Sequence, residues 1–402
     1  MPIRPASLFR SPHSQPLGQG DSRRPGRQPM DNRQPLDSQP PLPSPLASPH
    51  QQPLQAQPPA QGRRARRTGA LSSGLVTVLL LSSCSQRPEA KSLGVYSGRH
   101  YNTDQQLYRQ FEARTGIKVK LLEGKDDALI ERLRNEGSSS PADVLVLVDA
   151  ARLAKAAEAG LFRPIDSAAL RRDVPANLRD SRQRWFALTR RVRAVVVNPA
   201  LVPPASIRSY ADLASPALRG KLCLRNGLSV YNQSLVADQL IQRGEVATKA
   251  WLQGLVANLG QPFFTSDIPL ARAVGQGRCG VGLVNTYYVA RMLSGKAGAD
   301  DQAAARKLKL ILPDPAHVNI SGAGVTTSSR NVEAGRRLIE FLASPSGGHG
   351  YAEANNEYPL TGTGSNPILK GFGPFRDDGV SAEAMGARNK QAVLLMRAAG
   401  WS

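Results

Sequence analysis

Three short stretches of this sequence place tyrosines at predicted turns. The four tyrosines and one adjacent histidine are Tyr101, Tyr231, Tyr287, Tyr288 and His100. A free tyrosine has a pKa of about 10, so phenolates form at neutral pH only beside a strong Lewis acid. Ferric iron is hard and triply charged and suits anionic oxygen donors, whereas copper(I) prefers sulfur and zinc prefers imidazole or thiolate. If the three turns converge, these side chains predict a single Fe(III) site.

Each of these residues has a simpler explanation when it is taken alone. A tyrosine at a strand end usually packs half-buried, adjacent tyrosines can stack against a sugar, and His100 suits a hydrogen-bonded surface position. Neighbouring side chains also point to different sides of regular structure, so Tyr287 and Tyr288 can face one ion only within a turn. The joint arrangement, rather than any single residue, favours the metal hypothesis.

Four phenolates on Fe(III) leave one net negative charge. Arg291 lies four and three residues after the adjacent tyrosines, on the same face of a predicted helix. We expect its guanidinium to balance that charge from outside the ligand shell, and Arg99 is a second candidate for the same role.

The hydrophobic pattern predicts the elements that position the adjacent tyrosines. An apolar run at 280–284 indicates a short strand, and the segment 289–293 indicates the start of a helix. The two tyrosines are therefore expected at a strand-to-helix turn. In open α/β sheets, ligands bind at such turns, outside the carboxyl ends of the strands.

The rest of the chain beyond the leader predicts two α/β lobes. Strands and helices alternate between 93 and 159, which indicates a parallel sheet with crossover helices. A strand at 194–198 is expected to lead into the second lobe, and strands at 308–312 and 320–326 to return, as in hinge-closing binding proteins. The predicted division is lobe 1 at 93–198 with a returning segment at about 320–350, and lobe 2 at 199–319 with C-terminal helices at about 351–402.

The amino-terminal 92 residues carry signals of a different kind. Residues 1–62 contain 15 of the 31 prolines and ten glutamines, which predicts a disordered extension. At 63–84, four arginines, a short apolar run and Ser82-Ser83-Cys84 follow one another, as in an export signal. The last residues resemble a bacterial lipoprotein cleavage box, which implies a lipid on Cys84; a plain signal peptide with an incidental cysteine is the alternative. Residues 85–92 are then a linker.

Charge and cysteine content narrow the function classes. Of the net charge of +21, residues from Cys84 onward carry +14, but the basic residues are scattered without aromatic interleaving, so no nucleic-acid partner is expected. Two cysteines remain if Cys84 is lipidated, namely Cys223 and Cys279. An even pair in an exported domain predicts a disulfide, and two buried thiols are the alternative.

Together, these motifs resemble those of periplasmic ferric-iron-binding proteins, the transferrin-like substrate-binding components of iron ABC transporters, and the cyanobacterial type most of all. The resemblance covers about 93–401. It is carried by the segments 95–104, 123–125, 140–144, 231–236, 285–288, 321–325 and 355–359. The loop Thr265-Ser266-Asp267-Ile268-Pro269 departs from the family's Gly-Asn-Asp type, so neither an anion-binding role nor a role in supporting the ligands is expected of this loop, whereas the tyrosines are unaffected.

The resemblance implies a fold, a ligand set and partners. The expected fold is the two-lobe periplasmic-binding-protein fold of type II, with a hinge and an inter-lobe cleft. The implied iron ligands are Tyr101, Tyr231, Tyr287 and Tyr288, with His100 either a ligand or set back. The implied partners are Fe(III) and an ABC-type permease with its ATPase. The protein itself is expected to be a periplasmic monomer that is anchored to the membrane by a lipid and is not an enzyme.

Two rival functions remain open on the sequence alone. The same scaffold could bind an organic solute such as a polyamine, a sugar or a thiamine-like molecule, for which carboxylates or a tryptophan box in the cleft would be expected. The chain has three tryptophans. A non-haem iron enzyme would use two histidines and a carboxylate, but beyond the leader only His100, His317 and His349 are present.

Overall fold

The computed structural model describes residues 92–99 and 104–402 of the chain. Its strands are β1 (Ser92–Ser97), β2 (Lys118–Glu123), β3 (Val144–Leu147), β4 (Phe186–Val197), β5 (Leu222–Cys223), β6 (Val281–Asn285), β7 (Lys309–Ile311) and β8 (Val318–Val325). Its α-helices are α1 (Gln105–Thr115), α2 (Asp126–Glu136), α3 (Ala150–Glu158), α4 (Ala168–Asp173), α5 (Val230–Ala257), α6 (Asp267–Gly275), α7 (Thr286–Leu293), α8 (Ala299–Ala305), α9 (Val332–Ala343), α10 (Pro345–Ala354), α11 (Pro367–Gly371) and α12 (Ala382–Ala398).

The predicted elements are present, with two informative differences in length. The strand expected at 194–198 is the far end of β4, which begins at Phe186 and includes the buried Arg191 and Arg193. The helices expected at 233–243 and 246–258 form α5, which is broken at Gly244. The positive φ of 74° at Gly244 is readily adopted only by glycine and interrupts the helical path.

The strands form one mixed sheet, in which the parallel pairing expected for the strands of 93–159 is confirmed. The strand order is β2-β1-β3-β8-β4-β6-β5, and β7 also pairs with β4. The pairs β1–β2, β1–β3 and β5–β6 are parallel, as crossover helices require. The strands β4 and β8 run antiparallel to their neighbours because they pass between the two halves of the sheet instead of returning through a helix.

Strand β4 is the longest and joins the two halves directly. Its residues from Phe186 to Val192 pair with β8, and those from Arg193 to Val197 pair with β6. In its second half, Val195 packs in one apolar cluster with α5, whereas Val196 packs in another with α6 and Cys223. Alternate residues of a strand point to opposite faces, so both faces of the sheet are covered by helices here.

Two larger apolar cores lie at the two halves of the sheet. The first gathers β1, β3, α1, α2, α3 and α9, and the second gathers the end of β4 with β5, β6 and α5. The predicted placement of 351–402 with the second lobe needs correction, since Tyr351 and Met385 pack in the first core while Met396 and Trp401 pack in the second. Helix α12 thus contributes to both cores, and the exact lobe boundaries stay a prediction.

The predicted leader lies outside the described residues. This applies to the extension at 1–62, the export signal with Cys84, and the linker up to residue 91. Within the described part of the chain, none of the helices combines the length and the apolar character that crossing a bilayer would require.

A glycine in β8 offers a test of how tightly the crossing strands pack. A Cβ atom on Gly324 would lie 2.4 Å from the carbonyl oxygen of Arg184 and 2.5 Å from Cδ1 of Phe162. We expect Gly324→Ala to lower the free energy of unfolding by about 1–3 kcal/mol, as overpacking of a core does. Gly371, in α11, has open space at the same point and is the matched control. Equal denaturation midpoints for Gly324→Ala and Gly371→Ala would contradict the packing.

Candidate metal centre

The described tyrosines of the predicted site lie in the first turns of two helices. Tyr231 is the second residue of α5, and Tyr287 and Tyr288 are the second and third residues of α7. The adjacent tyrosines were expected in a turn before the helix. In the structure α7 begins directly after Asn285, the last residue of β6, so no separate turn intervenes. All three phenols therefore follow strands of the second half of the sheet.

The adjacent tyrosines pack against each other beside an amide. Their ring centroids are 4.2 Å apart with an interplanar angle of 39°, and the side chains of Tyr287 and Tyr288 are 7% and 9% exposed. The side-chain amide of Asn285 donates a hydrogen bond of 3.3 Å to the phenol oxygen of Tyr287. Asn285 thus orients one of the candidate ligands.

A small cavity brings the candidate ligands together with groups from the first half of the sheet. Its volume is about 30 Å³, and it is lined by Gly98, Arg99, Val148, Arg191, Tyr231, Tyr287, Asn355 and Glu357. A water molecule needs at least ~10–15 Å³ of such space, whereas pockets for organic ligands usually span ~300–1,000 Å³. The cavity therefore has room for a single ion or a few waters.

The electrostatics keep the phenols protonated until a cation arrives. Burial raises the pKa of Tyr231, while the Arg191 guanidinium and a hydrogen bond with Tyr287 act to lower it. Burial also raises the pKa of Tyr288, and a negative charge on Tyr231 would raise it further. These phenols are consequently neutral in an empty site, and only a strong Lewis acid can ionise several of them together.

Two arginines that the sequence analysis did not single out lie against Tyr231. The guanidinium carbon of Arg191 is 5.2 Å from the centre of the Tyr231 ring, and that of Arg225 is 5.5 Å from it. Arg191 is almost completely buried, whereas Arg225 is partly exposed. In the sequence, the only indication of a special role for Arg191 is that it is a charged residue within the valine-rich strand β4. These two guanidinium groups place positive charge beside Tyr231, and the role expected of Arg291 stays a prediction.

Arg99 is a structural anchor at the edge of the cavity. Its guanidinium donates to both carboxylate oxygens of Asp104, at 2.8 and 3.1 Å, and it is also paired with Glu357. It also stacks 3.9 Å over the Tyr351 ring. Because Asp104 and Glu357 already balance this charge, Arg99 is poorly placed to act as a free counter-charge for the metal site.

The Arg99–Asp104 ion pair also joins the residues on either side of 100–103. His100 and Tyr101, two of the predicted ligands, lie in this segment, outside the described residues. Their part in the site therefore stays a prediction. The two ends of the segment are fixed at the cavity, because Gly98 and Arg99 line it and Asp104 is tied to Arg99.

A buried polar network holds the helices that carry the tyrosines. Arg193 of β4 is paired with Asp267 and donates a 2.8 Å hydrogen bond to the side chain of Asn232, next to Tyr231. The backbone N–H of Asn285 donates a second hydrogen bond, of 2.8 Å, to the carboxylate of Asp267. The loop that departs from the family pattern thus supplies the carboxylate that positions both ligand-bearing helices.

The two cysteines of the folded part form a disulfide, with Cα atoms 5.9 Å apart. This separation is ordinary for a disulfide. Cys223 ends β5 and Cys279 precedes β6 by two residues. The bond therefore ties together the chain segments that lead to Tyr231 and to Tyr287.

Comparisons with known proteins agree with this architecture. A model of the bacterial extracellular solute-binding protein family matches residues 97–349. Iron uptake protein A1 of Synechocystis sp. is 40% identical over 336 residues, which cover 80% of this chain and 93% of that protein. The Fe(3+)-binding periplasmic protein of Serratia marcescens is 30% identical over 333 residues, which cover 81% of this chain and 96% of that protein.

Solved structures show the same fold. The Trichodesmium protein IdiA, or FutA, in complex with iron and citrate ligands has a TM-score of 0.74 at 40% identity, covering 77% of this chain and all of that one. The ferric binding protein from Campylobacter jejuni has a TM-score of 0.72 at 32% identity, covering 77% of this chain and all of that one. The predicted two-lobe, type II periplasmic-binding-protein fold is thereby confirmed. The chain belongs to the bacterial extracellular solute-binding protein family.

The buried network predicts that removal of a single carboxylate charge strongly lowers the free energy of unfolding. In Asp267→Asn the Arg193 guanidinium, 1% exposed, loses its charged partner. We expect a loss of about 3–5 kcal/mol in the free energy of unfolding, as when one member of a buried pair is removed, measured by urea denaturation. Asp166→Asn breaks an ion pair whose carboxylate is 85% exposed and should cost less than about 1 kcal/mol. Similar losses in both variants would show that the network is not the anchor described here.

Proposed function

We propose that this protein binds ferric iron outside the cytoplasm and delivers it to an ABC-type permease with its ATPase. The observation that carries the proposal is the meeting of the Tyr231 and Tyr287 phenols at a cavity the size of an ion, beside the Arg191 guanidinium. Two relatives are matched by this chain over 93% and 96% of their own length. They are named as an iron uptake protein and as an Fe(3+)-binding periplasmic protein.

The donor chemistry supports iron as the cargo. Phenolate oxygens are hard anionic ligands, and Fe(III) is hard enough to displace their protons at neutral pH. Tyr231, Tyr287 and Tyr288 are three such donors from two helices, and Tyr101 and His100 are the further ligands that we propose from the segment 100–103. Arg191 and Arg225, with Arg291 as a further candidate, would balance the excess negative charge of the loaded site.

The rival functions lack a supporting observation in the structure. The cavity at the tyrosines is far smaller than a sugar, polyamine or thiamine site would require. A two-histidine, one-carboxylate iron enzyme is equally unsupported, since His317 is buried away from the cavity lining and His349 is exposed on α10. We therefore regard the protein as a binding protein rather than an enzyme.

Further parts of the proposal concern where the protein acts. We place it in the periplasm, as expected for its family, exported by the signal at 63–84 and anchored through a lipid on Cys84. The permease and its ATPase are its proposed partners. The purified protein is expected to be a monomer.

The first test is an optical spectrum of the purified protein before and after addition of ferric citrate. Phenolate bound to Fe(III) gives a broad charge-transfer band in the visible range. We expect this band to appear in the wild type and to be lost in the Tyr287→Phe/Tyr288→Phe double variant. A colourless protein, or a band that survives in the double variant, would contradict the tyrosine site.

A second test measures how much one phenol contributes to affinity. Tyr287→Phe removes one proposed ligand oxygen, so the dissociation constant for ferric iron, measured by competition with citrate, should rise more than the ~10–100-fold typical of outer-shell changes. Tyr96→Phe is the matched control, because the Tyr96 hydroxyl donates to Glu136, away from the cavity. It should lose about 0.5–1.5 kcal/mol of stability and no iron affinity. Equal affinities of the two variants would rule out Tyr287 as a ligand.

A further inference from the structure

A second cluster of metal-ligating side chains lies apart from the tyrosines. It consists of Asp238 on α5, His317 just before β8, and Asp378 in the segment before α12. One ligand atom from each residue lies within 4.8 Å of the other two, and Nδ1 of His317 is 3.8 Å from Oδ2 of Asp238. The cluster therefore joins three segments that are far apart in the sequence.

Three buried polar atoms of this cluster have no hydrogen-bond partner within the described part of the chain. His317 is 1% exposed, and neither of its ring nitrogens has a hydrogen-bond partner there. Oδ2 of Asp378 is likewise buried and without such a partner. Each buried polar group left in this state costs about 1–3 kcal/mol, so native structures rarely keep several together without a ligand.

The surroundings hold the two carboxylates in place. The side-chain amide of Gln242 donates to both oxygens of Asp238 at 3.0 Å, and that of Gln239 donates to one of them at 3.0 Å. The backbone N–H of Val380 donates to Oδ1 of Asp378 at 2.9 Å. Outer hydrogen bonds of this kind orient the carboxylate ligands of metal sites.

The backbone fixes the imidazole as well. The N–H of His317 donates to the hydroxyl of Tyr210 at 3.0 Å, and that hydroxyl donates to the carbonyl of Arg193 at 2.6 Å. On the other side, the N–H of Asp378 donates to the carbonyl of Ala316 at 3.1 Å, which brings its carboxylate beside the histidine. The three ligand atoms are thus pre-positioned by the fold rather than by flexible surface loops.

The electrostatics favour a neutral imidazole facing two acids. Burial, together with the nearby Arg193 and Arg191 guanidinium groups, lowers the pKa of His317 to about 3, so the ring is unprotonated at neutral pH. This is the form in which histidine binds metals. Arg193 does not cancel the negative charge of the cluster, because it is paired with Asp267. Burial also raises the pKa of Asp238 and Asp378, and because their side chains interact by a hydrogen bond when one of them is protonated, a proton shared between them is the competing explanation.

We propose that Asp238, His317 and Asp378 form a second metal site, for a divalent first-row transition ion of the Zn²⁺ type. One imidazole and two carboxylates suit such an ion better than Mg²⁺ or Ca²⁺, which prefer oxygen alone. The 3.8 Å between the ligand atoms of His317 and Asp238 is within the span of two bonds of about 2.0–2.2 Å to a common ion, and a small closing of the side chains would bring it to the tetrahedral spacing of about 3.4 Å. The two carboxylates balance a divalent charge, and a water can complete the tetrahedron from the side of the partly exposed Asp378. This site is independent of the proposed iron function.

The test uses Zn²⁺ and the full chain with Tyr287→Phe and Tyr288→Phe, so that the tyrosines do not compete. After EDTA treatment and gel filtration, bound zinc is measured by atomic emission and its affinity by calorimetry. We expect Asp378→Asn and His317→Gln each to lose about one equivalent of zinc or to weaken its binding more than ~100-fold. His349→Gln, at an exposed histidine on α10, should keep it.

Folding is checked separately, because His317 is buried. Asp378→Asn changes a partly exposed side chain without changing its size, and its circular dichroism and zinc-free melting temperature should match those of the parent. Added zinc should raise the melting temperature of the parent and not that of Asp378→Asn. If the folded Asp378→Asn variant binds zinc as tightly as the parent, or the parent binds none at micromolar concentrations, the cluster is a proton-sharing carboxyl pair and the proposal fails.

Discussion

Two guanidinium groups buried in the crossing strand β4 impose the constraint on which the site depends. Arg191 and Arg193 are each 1% exposed, and a charge taken out of water costs several kcal/mol unless it is paired. Arg191 lies 3.6 Å from both Asp149 and Glu357, and Arg193 is paired with Asp267. These carboxylates come from the start of α3, the segment after α10 and the start of α6. Charge pairing therefore fixes three distant segments around one strand.

The same constraint shapes how the tyrosine cavity responds to a cation. A guanidinium beside the phenols repels a bare ion, and it also favours the ionised phenolates. Fe(III) with two phenolates carries one positive charge, but with four it carries one negative charge. In the proposed four-tyrosine site, Arg191, 5.2 Å from the Tyr231 ring, would disfavour a partly coordinated ion and favour a fully coordinated one.

The sequence predicted the strands, the helices and the candidate tyrosines better than it predicted the buried ion pairs that hold them in place. Local patterns identify the strand before Tyr287 because five apolar or small residues precede it, and they identify two helices on either side of Gly244. They miss the first half of β4, since an arginine there resembles a surface residue until its partner is known. The partner of Arg191 at Glu357 is 166 positions away by their numbering. Alternation of elements over 93–159 correctly predicted the parallel pairs β1–β2 and β1–β3, but it does not show how the strands that pass between the halves pair with their neighbours.

The two metal-ligating clusters meet through Arg193. Its side chain holds Asp267, which in turn holds the backbone of Asn285 beside the tyrosines, and its backbone N–H donates to the carbonyl of His317 at 3.2 Å. Coupling between two sites requires an element that has two arrangements of similar free energy. Arg193, Asp267 and Asn285 are buried, and a second arrangement of this route would break the ion pair and the backbone hydrogen bonds that join them. A cation at Asp238, His317 and Asp378 would therefore stabilise the crossing strands and leave the affinity of the tyrosine site almost unchanged.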